Sequence, residues 1–114
     1  MADIEVTEAI RRLDVWLDAE VAESYRNQPL AQDWARVGKV IEELGEAITD
    51  LIGYTGQNPR KGVTSTQEAM FDELADTIIT GYLAIQHFTK DAGLTVKIVN
   101  ERWQYRVRKS GLDG

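Results

Sequence analysis

The segment Glu42-Glu43-Leu44-Gly45-Glu46 recurs later in the chain as Asp72-Glu73-Leu74-Ala75-Asp76. Residues 40–48 and 70–78 align without a gap. Apolar residues stand opposite apolar ones, as Val40/Met70, Ile41/Phe71, Leu44/Leu74 and Ile48/Ile78, and acids opposite acids, as Glu42/Asp72, Glu43/Glu73 and Glu46/Asp76. The apolar spacing has the period of a helix and not of a strand. A helical unit used twice in one small chain restricts it to an all-α fold whose two central helices are alike.

The same spacing defines a candidate metal site. Glu43 and Glu46 are three apart and share one helix face, as do Glu73 and Asp76. A helical wheel sets each pair on the shoulder of the Leu44 or Leu74 stripe. If the two stripes pack antiparallel, the shoulders meet and four carboxylates converge. Carboxylates that close repel one another unless protonated or neutralised, and an all-oxygen donor set suits a hard cation, Mg²⁺ or Mn²⁺. A pair of solvated acidic helix faces is the alternative, and for a single E-x-x-E it would be preferred. Two copies at the same offset from two stripes favour a site.

Composition narrows the remaining choices. A chain of 114 residues predicts a single domain, with an N-terminal helix and loop over 1–30 and motif-bearing helices over 33–109. A domain of this size leaves much apolar surface uncovered, so association into an oligomer is expected. Cysteine is absent, which excludes disulfides, thiolate zinc sites and cysteine nucleophiles and fits a reducing compartment. The start, Met-Ala-Asp-Ile-Glu, lacks the basic-then-apolar order of a signal peptide. The longest uncharged run, residues 77–89, is too short to span a bilayer. A cytoplasmic location without membrane attachment is the expectation. The net charge of -6 argues against nucleic acid as a partner, though not against a phosphate ligand reached through metal.

In chain order, the first helix is expected over residues 4–25. Val6, Ile10, Leu13 and Leu17 form its stripe, widened by Ala9, Trp16 and Val21, with Asp14 and Asp18 on its other faces. Pro29 forces Gln28 from the helical region and makes residues 26–29 a loop. Asp33 is the expected N-cap of the second helix, whose stripe is Trp34, Val37, Ile41, Leu44, Ile48 and Leu51, and Gly53 its expected end. Lys39 lies beside Glu43 as a salt-bridge partner or a phosphate contact. The breaker-rich loop over 53–62 holds Arg60 and Lys61, which suit either solvent or a triphosphate tail. Thr66 or Ser65 caps the third helix, with stripe Phe71, Leu74, Ile78, Tyr82, Ile85 and Phe88. His87 falls roughly 16 Å along the axis from Asp76, too far to share its metal. Residues 91–93 are read as closing this helix. The last helix, over 94–109, is basic, with Lys97, Arg102, Arg106, Arg108 and Lys109. Its cations suit the helix dipole or, with Asn100, a phosphate. Trp16, Trp34, Trp103 and Tyr54 could stack on a base, but core packing is the default for a tryptophan on a stripe.

The order E-E-x-x-E followed by E-x-x-D, here Glu42-Glu43-Leu44-Gly45-Glu46 and Glu73-Leu74-Ala75-Asp76, resembles the MazG-type all-α nucleoside triphosphate pyrophosphohydrolases. Asn100-Glu101-Arg102-Trp103-Gln104-Tyr105-Arg106-Val107-Arg108 is similar to the N-E-K-F-x-R-R-F-R type of segment that follows the motif in that family. The resemblance covers residues 34–109. It implies a four-helix MazG-like bundle forming homodimers or homotetramers. It also implies Mg²⁺-dependent cleavage of a (d)NTP to (d)NMP and pyrophosphate, as in nucleotide-pool housecleaning. Carried onto this chain, the metal ligands are Glu43, Glu46, Glu73 and Asp76, with Glu42 of second rank. Asn100, Arg102 and Arg106 become phosphate or nucleotide contacts. The chain departs from the longer MazG proteins in having one unit rather than tandem copies, and in placing Tyr105 where the segment often has arginine.

Bound Mg²⁺ would orient the phosphates and lower the pKa of an attacking water, with Glu42 or Glu46 accepting its proton. Two rivals stand beside this reading. Phosphoribosyl-ATP pyrophosphohydrolases look similar, but tend to carry an aromatic–histidine pair soon after the second motif, where this chain has Thr77-Ile78-Ile79-Thr80. A non-catalytic helical adaptor, binding a partner through its acidic faces, is the other.

Overall fold

Four α-helices and one short 3-10 turn carry the chain in the computed structural model, which describes residues 3–21 and 23–114. Met1, Ala2 and Ala22, part of the expected start and first helix, lie outside the described residues. Helix α1 spans Val6–Ala19, the 3-10 turn Glu23–Tyr25, α2 Pro29–Thr55, α3 Gln67–Thr89 and α4 Ala92–Lys109. The described residues contain no strand, so the all-α reading holds.

The ends of the helices differ from the sequence reading for local reasons. Helix α1 stops at Ala19, short of the expected 25; its last turn holds Asp18 and no base, an arrangement the helix dipole opposes. Helix α2 begins at Pro29 rather than after Asp33, because proline's fixed φ suits the first turn, where no N–H is needed. Gly53 does not end α2. It lies buried within the helix, and Gly56, at φ 65, caps it. A Cβ on Gly53 would stand 2.6 Å from Thr64 Oγ1 and 2.9 Å from Ser65 Cβ, so this glycine lets the returning loop lie on the helix. Thr66 caps α3 as expected, its side chain accepting from Ala69 N at 3.1 Å. Asp91 opens α4 instead of closing α3, accepting from Leu94 N at 3.0 Å.

Helices α2 and α3 form an antiparallel hairpin, shown by the neighbours Arg36 and Leu83, Glu43 and Asp76, and Asp50 and Ser65. The contact face is not the expected one. Trp34, Ile41 and Ile78 on the stripes are 72, 73 and 63% exposed, and Val37, Leu44, Ile48, Phe71, Leu74 and Phe88 are exposed too. The shielded positions stand one residue earlier: Arg36, Val40, Glu43, Ala47 and Asp50 on α2, and Met70, Glu73, Thr77, Ala84 and His87 on α3. Each helix is thus turned by about 100° from the face its stripe suggests. Small residues such as Ala47, Thr80 and Ala84 line that seam, and the large apolar stripes are left outside it.

The buried core lies elsewhere, where α1 and α4 meet the C-terminal half of α3. Ile10, Leu83 and Ala92 form it, with Leu17, Tyr82 and Val96 packed against them. Thr95, fully buried, donates to Gln86 Oε1 at 2.8 Å and satisfies the polar part of the α3–α4 junction. Helix α1 leans on α3 and α4, and its backbone does not approach α2. Instead, Arg36 of α2 reaches across to it. Its guanidinium meets Asp14 Oδ1 at 3.2 Å and Asp18 Oδ1 at 2.9 Å, while Lys90 Nζ closes on the same two carboxylates at 3.0 and 2.8 Å. Asp14, read from the sequence as surface, is one of the most buried side chains. The face α1 turns inward is Ile10–Asp14–Leu17, whereas Val6, Leu13 and Trp16 stay exposed. The radius of gyration, 17.3 Å, exceeds the roughly 13 Å of a compact chain this long, as an open arrangement with uncovered stripes requires. Among the described residues no helix is long and apolar enough to cross a membrane.

Candidate metal centre

The rotation of α2 and α3 carries Glu43 and Glu73 from the shoulder of the stripe into the seam. Glu43 from α2 meets Glu73 and Asp76 from α3, and one carboxylate oxygen of each lies within 4.8 Å of the others. Glu43 and Glu73 are half-buried and Asp76 is exposed, so the cluster opens to one side. Oxygens bound to one hard divalent ion lie at most about 4.2 Å apart around Mg²⁺ and about 5 Å around Ca²⁺, so a small closure of these three side chains would bring them onto an ion. Glu46, the fourth carboxylate expected there, is not among the three that converge, although it lies close enough to Glu73 and Glu43 to influence their charge.

The electrostatics are uneven. Burial pushes the Glu73 carboxyl up to about 7, and the neighbouring Glu46 and Glu43 add to the effect. Its Oε2 is shut off from solvent with no hydrogen-bond partner. Such a group is costly to keep charged unless a cation faces it. Glu43 is held below the usual carboxylate range by Lys39, whose Nζ is 3.1 Å away. The residues present therefore fit a hard divalent ion: three carboxylates from two helices, with a buried and unpartnered oxygen on Glu73.

The other sequence-derived candidates divide by position. Lys39 is the salt-bridge partner expected of Glu43, and it also holds Glu42 at 3.0 Å. That contact keeps Glu42 on the exposed side, outside the carboxylate group. Arg60 and Lys61 are exposed in the α2–α3 loop; Lys61 lines a shallow pocket with Asn58 and Thr64, and neither cation is joined to the acids. Asn100, Arg102 and Arg106 lie exposed on α4, whose backbone does not approach α2. The Arg102 guanidinium covers the Tyr105 ring at 4.4 Å. His87 is mostly buried and away from the cluster, with Nε2 2.7 Å from Asp33 Oδ1. All three tryptophans are exposed, against the core packing expected of them.

Two features of this region are not legible as motifs. One is the Asp14–Arg36–Asp18–Lys90 network; its only sequence signal is a pair of acids at i,i+4, of which Asp14 stands one turn from both Ile10 and Leu17. The other is a cavity of about 560 Å³ between α1, α2 and α3 that runs up to the acids, with Glu43 and Asp76 in its wall. Comparison of the chain with known protein families, with curated proteins and with solved structures finds no match.

Proposed function

We propose that the protein is a Mg²⁺-dependent nucleoside triphosphate pyrophosphohydrolase of the MazG-like kind, cleaving (d)NTP to (d)NMP and pyrophosphate. The reading is carried by the convergence of Glu43, Glu73 and Asp76 from the two copies of one helical unit, with the buried Glu73 Oε2 left unpartnered. The order of the acidic motifs and the Asn100–Arg108 segment support it. Glu43, Glu73 and Asp76 would hold the ion, with Glu46 beside them. Mg²⁺, when bound there, supplies charge neutralisation for the phosphates and an activated water. Glu46, exposed and next to the group, is better placed than Glu42 to take the proton of that water, since Lys39 occupies Glu42. Mn²⁺ fits the same oxygens.

The stripes left open on α2 and α3 support a homodimer or homotetramer. Trp34, Val37, Ile41, Leu44 and Ile48 repeat at alternating steps of three and four, the spacing of a helix–helix seam, and all are exposed. A second hairpin laid on this face would complete a four-helix bundle around the acids. The same open face also suits the adaptor reading, in which a different protein covers it.

The test is pyrophosphate release from a panel of dNTPs and NTPs, with and without Mg²⁺. Release that requires the metal and is lost in Glu43→Gln and Glu73→Gln supports the enzyme. Well-folded protein that releases none from any nucleotide points to the adaptor.

A further inference from the structure

The cavity between α1 and α2 has a composition that the acidic centre does not explain. Its walls are mostly apolar: Leu13, Trp16 and Leu17 from α1, Ala35 from α2, Ile79 and Leu83 from α3. At about 560 Å³ it lies within the roughly 300–1,000 Å³ of small-molecule sites. Glu43 and Asp76 stand at one end, so an occupant of the cavity with an anionic tail would place that tail at the carboxylate group.

We infer that this cleft is the nucleoside subsite of the enzyme proposed above, and that it holds the base by stacking and size rather than by reading its hydrogen-bonding edge. The inference rests on that functional reading for the identity of the tail. The polar groups in the wall are already engaged by the protein. Thr80 Oγ1 donates to Thr77 O at 2.8 Å. Arg36 is divided among Asp14, Asp18 and the Leu83 carbonyl. Lys39 is divided between Glu42 and Glu43. What remains for a ligand is an indole, 57% exposed on α1, facing aliphatic side chains across the gap. A planar ring can slide between such walls, and every base presents a face to an aromatic. A site without free edge partners discriminates only by shape, by about 10–200-fold at most. The four dNTPs should therefore all be accepted, with KM values inside that range.

Two measurements test this. In a Trp34→Phe/Trp103→Phe background, Trp16 is the sole tryptophan. Both dAMP and dCMP should then quench its fluorescence, while inorganic pyrophosphate should not. In steady state, Trp16→Ala and the slot-filling Ala35→Leu should each raise KM about tenfold for purine and pyrimidine dNTPs, leaving kcat within about threefold. Unchanged KM in both variants and no quenching, in protein that still releases pyrophosphate, overturn the subsite and leave the enzyme standing. Quenching by dNMP in protein that hydrolyses no nucleotide does the reverse. A preference above about a thousandfold for one base refutes recognition without an edge.

Discussion

Arg36→Met is the perturbation whose cost can be worked out most directly. The methionine keeps the apolar stem and removes the guanidinium, which makes four contacts: Asp14 Oδ1 at 3.2 Å, Asp18 Oδ1 at 2.9 Å, and the carbonyls of Leu83 and Asp14 at 3.3 and 3.4 Å. The side chains of Arg36 and Asp14 are only 11 and 6% exposed, so water does little to replace the lost partner. Breaking a buried pair from one side costs about 3–5 kcal/mol. Asp14 retains Lys90 at 3.0 and 3.1 Å, which sets the expected loss near the lower end, about 3 kcal/mol. That is a large part of the roughly 5–15 kcal/mol available to a small domain. The double variant Asp14→Leu/Arg36→Met removes both charges and adds an apolar group beside Ile10 and Leu83. It should recover to within about 1 kcal/mol of wild type, because uncharged isosteres of a buried pair are often neutral. Urea unfolding followed by circular dichroism, at one protomer concentration, reads both values. An Arg36→Met loss below about 0.5 kcal/mol, or a double variant weaker than the single, refutes the view that this network holds α1 in place.

Three further outcomes follow from the acids and the stripes. In metal-free protein Glu73 rises in the folded state from its ordinary 4.5 to about 7, so the folded form binds more protons than the unfolded form between those values. Stability should fall as pH rises through that window and level off above it, and Glu73→Gln should flatten this slope in melting curves taken from pH 4 to 8. Saturating Mg²⁺, at about a hundredfold over Kd, should add about 2.7 kcal/mol to the wild type at pH 8 and little to Glu73→Gln, read as the shift in Tm. Ile41→Glu, at a position 73% exposed in the single chain, should weaken self-association about thirtyfold or more in sedimentation velocity without altering helix content.

The sequence by itself determined the helices and the doubled acidic unit, whereas the convergence of Glu43, Glu73 and Asp76 came through a different helix face from the one it suggested. The end of α2, expected at Gly53, falls at Gly56; but periodicity and caps such as Thr66 act within a few residues, so the all-α character and the doubled unit were legible without a fold. So was the pairing of Lys39 with Glu43, a matter of helix pitch. The tertiary structure decided which face of each central helix meets the other. The stripe of Ile41 and Leu44 and the row of Glu43 and Ala47 are adjacent on the same helix, and the choice between them depends on everything else that packs, including whatever covers the stripes. Asp14 became buried for the same reason: its counter-charges, Arg36 and Lys90, come from α2 and from the turn between α3 and α4, distant in sequence. Short-range order is written in neighbouring residues, whereas the rotation of a helix about its own axis is set by partners that only the folded chain assembles.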